Sequence, residues 1–256
     1  MASIIDCFQE SINENMALVK IAAFSVPVYI CIKLFMVGKM TAFTTLTVIF
    51  GALMLGVMTQ GINNIRLNKS DIMTLNPLKI GFALLKALVV LVPQGLVFGF
   101  IGHFCVMFLT SIPVQIEHYN LIIMIIVWSI IGSILLTSYL SFAKYLRIPE
   151  GYNFAVISES CVDVFLSVLF FFPQVLFVNL FVFGPIYYLF RQFNIPFEHW
   201  GFIAFASVAI VINFSMFTNY LAQASYEQIK GNNEDYDDNY NKIDMIEDSA
   251  QRMNGR

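Results

Sequence analysis

Long apolar runs separated by short polar stretches make up most of this chain. Six runs reach the roughly 20 residues with which a helix crosses a hydrocarbon layer about 30 Å thick. Five of the six contain no Asp, Glu, Lys or Arg. Because the runs are continuous and do not alternate with polar residues, we predict an all-α, polytopic membrane helix bundle and not a β-barrel. The predicted spans cover residues 16–38, 40–62, 87–111, 119–143, 164–190 and 200–226.

Each odd-numbered span follows an amphipathic stretch and contains one proline. Pro27, Pro93 and Pro173 are predicted to break or kink their helices, because proline removes a backbone hydrogen bond and clashes with the preceding turn. Asn76 and Asn153 are predicted to cap the second and third stretches. Apolar residues at helical spacing predict that these stretches lie along the membrane interface. The apolar residues are Ile4, Ile5, Phe8 and Ile12 in the first stretch, Leu78, Phe82, Leu85 and Val89 in the second, and Phe154, Ile157, Cys161 and Val164 in the third.

The chain also resembles itself from one pair of spans to the next. The dipeptide Pro93-Gln94 recurs 80 residues later as Pro173-Gln174. The even-numbered spans end alike, with Thr59-Gln60, Thr137-Ser138-Tyr139 and Thr218-Asn219-Tyr220. We therefore predict three helical hairpins that share one orientation, a parallel repeat of the kind found in some transporters.

Composition agrees with a membrane domain over residues 1–230. Hydrophobic residues make up 58% of the chain and charged residues 12%, where soluble domains carry about 25% charged. Basic residues collect on one side of the predicted spans, which marks the cytoplasmic side. Six spans then place both termini in the cytoplasm, and the multi-pass chain in the cytoplasmic membrane. The basic residues of that side are Lys20, Arg66, Lys69, Lys79, Lys86, Lys144, Arg147 and Lys230.

Residues 231–256 differ from the rest of the chain. They hold seven acidic residues against three basic ones and few apolar residues. This composition predicts an acidic disordered cytoplasmic tail. Two interpretations stay open, a solvated segment and a docking peptide for a cytosolic protein.

Polar side chains inside the apolar runs are the candidates for a binding site. Gln94 and Gln174 follow their prolines and are predicted to face the protein interior. A nearby amide can satisfy the carbonyl that proline leaves without a donor. The alternative is a polar substrate or ion site between the two helices. Asn179 and Asn213 can join that site or bond one helix to another.

Histidine is the remaining ionisable candidate. His103 is the only histidine in its span, which has no charged residue, and two interpretations stay open: an interfacial or interhelical hydrogen bond, and a proton relay. His118 and His199 stand beside Glu117 and Glu198, but two such pairs do not define a metal site.

Enzyme and nucleic-acid motifs are missing from the sequence. It contains no Walker loop, no G-x-S-x-G, no H-E-x-x-H and no Rossmann glycine pattern. Four scattered cysteines include no Cys-x-x-Cys pair, so no metal or redox site is predicted. No basic stripe for nucleic acid is present. We expect a chain that is not an enzyme and carries no cofactor.

One resemblance to known proteins rests on layout and on two short segments, residues 144–147 (Lys-Tyr-Leu-Arg) and 152–154 (Tyr-Asn-Phe). With its amphipathic starts and proline-bearing spans, the chain resembles a loose group of bacterial multi-pass membrane domains of unknown function. This group includes the membrane domain attached to some glycerophosphodiester phosphodiesterases. The resemblance implies a bacterial cytoplasmic membrane location and supplies no functional residues.

Two functional hypotheses follow. The first is a non-catalytic membrane scaffold or assembly factor with a membrane or cytosolic protein partner. The second is a transporter or lipid-handling protein with a polar site near the proline-bearing helices. The lipid bilayer is a partner in both.

Overall fold

The computed structural model describes residues 3–14, 16–67, 72–112 and 118–229. Every regular element in these ranges is helical, and a short 3₁₀ turn occupies Ile148–Tyr152. The predicted tail, residues 231–256, lies outside the described residues, as do Lys69, Glu117 and Lys230. The α-helices are α1 Ile4–Asn13, α2 Ala17–Met36, α3 Met40–Arg66, α4 Pro77–Thr110, α5 Tyr119–Tyr145, α6 Phe154–Val182, α7 Gly184–Gln192 and α8 Trp200–Gln228.

Six of these helices have the length and composition to span a membrane. They are α2, α3, α4, α5, α6 and α8. The all-α, multi-pass fold class is therefore confirmed. The helices α4 and α6, at 34 and 29 residues, extend about 51 and 43 Å at 1.5 Å per residue, which exceeds a hydrocarbon layer of about 30 Å.

The fifth span differs from the predicted range 164–190. Its helix, α6, begins ten residues earlier, at Phe154, and ends at Val182. The short helix α7 then starts at Gly184, with Pro185 in its first turn. Proline supplies no N–H for a bond to the preceding turn, so the backbone can turn into a new helix at this position. A pattern of apolar residues shows no such boundary, because the uncharged apolar run continues across it to Phe190.

Two asparagines fix where long helices begin. The side chain of Asn76 accepts hydrogen bonds from the backbone N–H of Leu78 at 3.1 Å and of Lys79 at 3.3 Å. The side chain of Asn153 accepts from Val156 N at 3.5 Å. Both predicted caps are confirmed. They satisfy N–H groups that have no partner inside the first turn of a helix.

The spanning helices form an inner group of three and an outer group of three. The inner helices α3, α5 and α8 contact one another. Each outer helix contacts two inner ones: α2 packs against α8 and α3, α4 against α3 and α5, and α6 against α5 and α8. Three successive hairpins would produce this arrangement. The relation among the hairpin sequences stays a prediction.

The segments that precede the outer helices close this ring. The 3₁₀ turn packs on α5 and α4, and α1 packs on α8 and α6. Ile72, ahead of α4, packs in one cluster with Ile21 and Phe24 of α2. Its carbonyl also approaches Gly61 of α3 so closely that a Cβ at position 61 would clash. Each of these segments thus packs on the hairpin next to the one that it precedes.

The predicted stripe of α4 faces outward. Leu78, Phe82, Leu85 and Val89 are all more than half exposed. The buried positions are Ile80, Ala83, Ala87, Val90, Gln94 and Gly102. In a bilayer the exposed face of a spanning helix is apolar too, because lipid tails are as apolar as leucine. Apolar spacing therefore identifies the helix and does not identify the face that contacts protein.

The helix α1 is amphipathic, and only part of its apolar face contacts the rest of the protein. Ile4 and Cys7 are buried against α6 and α8, and Phe8 packs at the edge of this contact. Ile5 and Ile12 are exposed, at 55% and 41%. Of the predicted apolar face, one part contacts protein and the other remains open. An interfacial helix places such an open apolar side against lipid.

Candidate functional site

The Gln94 side chain is buried and bonded within the protein. Its Nε2 donates to the carbonyl of Gly151 at 2.6 Å, and its Oε1 accepts from the Ser138 hydroxyl at 2.5 Å. The residue is 4% exposed. Gln94 therefore faces the interior, as predicted, and joins α4 to α5 and to the 3₁₀ turn.

Close packing holds Gly151 at this position. A Cβ at residue 151 would lie 2.6 Å from Val90 Cγ1 and 3.1 Å from Phe142 Cβ. The hydroxyl of Ser141 donates to the neighbouring carbonyl of Glu150 at 3.0 Å. The 3₁₀ turn is thus attached by two serines of α5 and one glutamine of α4, because Ser138 Oγ also lies 2.6 Å from the Gly151 carbonyl.

The carbonyl that Pro93 leaves without a donor belongs to Val89, four residues earlier. The hydroxyl of Tyr152 donates to this carbonyl at 2.8 Å. A phenol from the 3₁₀ turn therefore satisfies the carbonyl, and the neighbouring amide of Gln94 does not. The sequence had suggested that a nearby amide satisfies this carbonyl, and the Tyr152 hydroxyl does so instead. The two residues point to different sides of α4: Gln94 lies on the buried face, whereas Pro93 is exposed.

None of the three prolines ends its helix, and a kink at each of them stays a prediction. Helical structure continues through Pro27 in α2, Pro93 in α4 and Pro173 in α6. A proline removes one bond of the helical ladder, and the bonds on both sides persist. In membrane helices a polar neighbour can satisfy the freed carbonyl, and at Pro93 this neighbour is Tyr152.

Gln174 has a different environment from Gln94. Its side chain is only partly buried. No side-chain hydrogen bond joins it to any residue that the structure describes. It lies on α6, and α5 packs against both α4 and α6. The contacts of the two glutamines therefore do not assemble a common site, and Gln174 does not point fully inward as predicted.

Asn179 and Asn213 bond to each other across α6 and α8. Asn179 Nδ2 donates to Asn213 Oδ1 at 2.7 Å, and Asn213 Nδ2 donates to Asn179 Oδ1 at 2.8 Å. Each amide nitrogen also donates to the carbonyl four residues earlier, that of Val175 or Ala209, at 2.8 Å. All four amide hydrogens are thus used. The arrangement joins two helices, which was one of the two roles expected for these residues.

His103 and His199 make different contacts. His103 is exposed, and its ring packs edge-on to Phe104 with centroids 6.4 Å apart. The Nδ1 of His199 accepts from Gly201 N at 3.2 Å and so caps α8. Among the described residues, no group of three or more His, Cys, Asp or Glu side chains could hold a metal ion.

Three threonines of the inner helices were not selected from the sequence. Thr59, Thr137 and Thr218 are fully buried, and each hydroxyl donates to the carbonyl four residues earlier. The hydroxyls of Thr59 and Tyr139 lie 2.8 Å apart and connect α3 with α5. The similar ends of the even spans were the signal for these residues. They mark buried positions of the inner helices.

A buried ion pair was also missed. Lys20 Nζ lies 2.5 Å from Glu14 Oε1, and both side chains are almost fully buried. The same carboxylate oxygen accepts from Met73 N at 2.8 Å. Glu14 thereby joins the start of α2 to the segment ahead of α4. Removing one partner of such a pair is costly, because the other charge stays buried.

The basic ends of the helices lie together, as their sequence positions predicted. Asn63 Nδ2 donates to the carbonyl of Lys144 at 3.0 Å, and Lys86 Nζ donates to the carbonyl of Leu146 at 3.3 Å. The Arg66 guanidinium stacks 4.8 Å from the Tyr145 ring. Contacts of this kind place the ends of α3 and α5 beside the early part of α4, on one side of the bundle.

The four cysteines are free thiols. Cys7, in α1 outside the spanning helices, is fully buried. Burial raises the pKa of the Cys7 thiol from 9.0 to about 12, and the charges of Glu10 and Asp6 add to the effect. A neutral thiol in this position packs as a small apolar side chain.

No family model matches this chain, and no curated protein and no solved structure is similar to it. The resemblance to bacterial multi-pass membrane domains stays a prediction. The candidate residues therefore have to be interpreted from their own contacts. Those contacts are mainly hydrogen bonds that hold one helix to the next.

Proposed function

We propose that this chain is a non-catalytic membrane scaffold or assembly factor. One observation supports the proposal: three of the four amides expected to form a polar site are used within the protein. Gln94 bonds the 3₁₀ turn, and Asn179 and Asn213 bond each other. Side chains whose hydrogen-bonding groups are already used have few donors or acceptors left to bind a solute. Their hydrogen bonds instead fix the arrangement of the helices, and the surface of such a bundle can bind a protein partner.

Purification in native lipid, followed by quantitative mass spectrometry, tests this role. A scaffold should retain a protein partner at a fixed ratio, compared with an unrelated six-span protein carrying the same tag. If the preparation holds a stoichiometric small solute or lipid and no enriched protein, the scaffold proposal is wrong.

The alternative is a transporter or lipid-handling protein with a polar site near a proline-bearing helix. One observation favours it: the amide of Gln174, beside Pro173, is partly exposed and makes no hydrogen bond to the described residues. Uptake or lipid transfer by reconstituted vesicles separates the two functions. Activity that falls in Gln174→Leu while the protein stays folded would support the alternative.

We also propose a cytoplasmic membrane location with both termini in the cytoplasm. The support is the basic side of the bundle, where Lys86, Lys144 and Arg66 lie near one another. Basic loops are retained on the cytoplasmic side during insertion. A reporter that is active only in the cytoplasm should therefore be active when attached after Arg256, and one that is active only in the periplasm should be inactive there. Periplasmic activity would reverse the orientation.

A further inference from the structure

Gln174 lies in the part of α6 that crosses the bilayer. It stands eight residues before the helix ends at Val182, which is about 12 Å along the axis. A hydrocarbon layer of about 30 Å therefore includes it. A primary amide that finds no hydrogen-bond partner in hydrocarbon is strongly disfavoured.

Gln174 lies in one row of residues along the exposed side of α6. Phe170, Gln174, Phe177 and Phe181 follow one another at spacings of four, three and four residues, so they share one face of the helix. The three phenylalanines are 47%, 59% and 63% exposed. We name these four residues the Gln174 seam. An apolar seam with one polar residue is the pattern with which paired helices fix their register.

We propose that the Gln174 seam docks against the same seam of a second copy of this chain. In a two-fold dimer whose axis is perpendicular to the membrane, both copies insert in the same direction. Gln174 of one copy then meets Gln174 of the other at the same depth. Each amide donates one hydrogen to the partner's Oε1 and accepts one in return. The phenylalanines pack above and below this pair.

The chemistry of the amide favours a second copy over another occupant. A primary amide carries donors and an acceptor in one group, so it is complementary to itself. The chain already uses this reciprocal geometry between Asn179 and Asn213, at 2.7 and 2.8 Å. A lipid tail offers neither donor nor acceptor. The inference goes beyond the scaffold role, because a transporter can associate through the same seam.

Energy transfer between labelled copies in lipid vesicles tests the proposal. Gln174→Leu should raise the dissociation constant of the dimer about 3- to 30-fold, since interhelical polar contacts contribute that much in membranes. Gln174→Asn, which keeps the amide, should retain part of the affinity. Leu176→Ala is the matched control, because Leu176 is 73% exposed on a different face of α6. It should leave the dissociation constant unchanged.

Disulfide cross-linking locates the interface independently. It uses a background in which the exposed Cys105 and partly buried Cys161 are replaced by alanine. Phe177→Cys should cross-link to itself, and Leu176→Cys should not. Equal cross-linking at both positions, or unchanged energy transfer in Gln174→Leu, would overturn the proposal. So would capture of a different protein by Phe177→Cys in native membranes. Unchanged thermal unfolding of Gln174→Leu in dilute detergent shows that the variant folds.

Discussion

The hydrogen bond from Tyr152 to the Val89 carbonyl, 2.8 Å long, offers a sharp test of how α4 tolerates its proline. Tyr152→Phe keeps the ring and removes the only atom that donates. The Val89 carbonyl would then have neither a helical partner, because residue 93 is proline, nor a phenol. We expect the free energy of unfolding to fall by about 1 kcal/mol, the net contribution of one hydrogen bond.

A second substitution separates this cause from a general effect of tyrosine. Pro93→Ala restores the backbone N–H that can donate to Val89. In that background Tyr152→Phe should cost roughly 0.3 kcal/mol or less, which is within the error of additivity for independent sites. The coupling energy of the cycle should therefore be close to the whole cost measured in the parent protein.

The free energy of unfolding can be measured by denaturant titration in mixed micelles for the four proteins of the cycle. Tyr188→Phe serves as a control, because Tyr188 is 65% exposed and makes no hydrogen bond to a described residue. It should change stability by less than about 0.5 kcal/mol. If Tyr152→Phe costs the same with and without Pro93, the phenol does not replace the missing helical bond and the reasoning fails.

Three further predictions concern side chains of different burial. Gln94→Leu should lower the free energy of unfolding by about 1–2 kcal/mol, because Gln94 is hydrogen-bonded within the chain. Gln174→Leu in dilute detergent should change it by less than about 0.5 kcal/mol, because Gln174 makes no such bond. Equal effects of the two substitutions would contradict this prediction. Asn213→Leu should cost about 1–2 kcal/mol by thermal or denaturant unfolding, since it leaves the amide of its partner on α6 without a reciprocal bond. The pKa of the Cys7 thiol is raised from 9.0 to about 12, so its contribution to stability is present below pH 9 and is lost as the pH rises toward 12. Its labelling by maleimide at pH 8 should therefore be far slower than in denatured protein, and equal rates would show that the thiol is not buried.

The spanning helices could be predicted from sequence because crossing a bilayer sets a minimum length of apolar chain. The two caps could be predicted as well, because Asn76 and Asn153 act on N–H groups only two or three residues away. Both kinds of feature depend on local sequence. The end of α6 at Val182 was missed because the uncharged apolar run continues to Phe190, and only Gly184-Pro185 marks the junction with α7.

The faces of the helices could not be predicted in the same way. Leu78 faces outward and Ile80 faces inward, yet both are large apolar residues two positions apart. In a soluble protein water would distinguish these positions, but lipid does not. The partner of Val89 was hidden for another reason. Tyr152 lies more than sixty residues away, and only the packed 3₁₀ turn brings it to α4.

Polar residues are the better guide to packing in such a chain, because hydrocarbon penalises each unbonded amide or hydroxyl. Gln94, Thr59 and Asn213 all face other helices, and each makes a hydrogen bond there. By the same argument, a residue of a spanning helix whose amide makes no hydrogen bond within one copy points to a contact with another molecule. Gln174 is such a residue, on a seam of exposed phenylalanines. The rule that explains the interior of the bundle therefore also identifies the surface on which a second copy is proposed to dock.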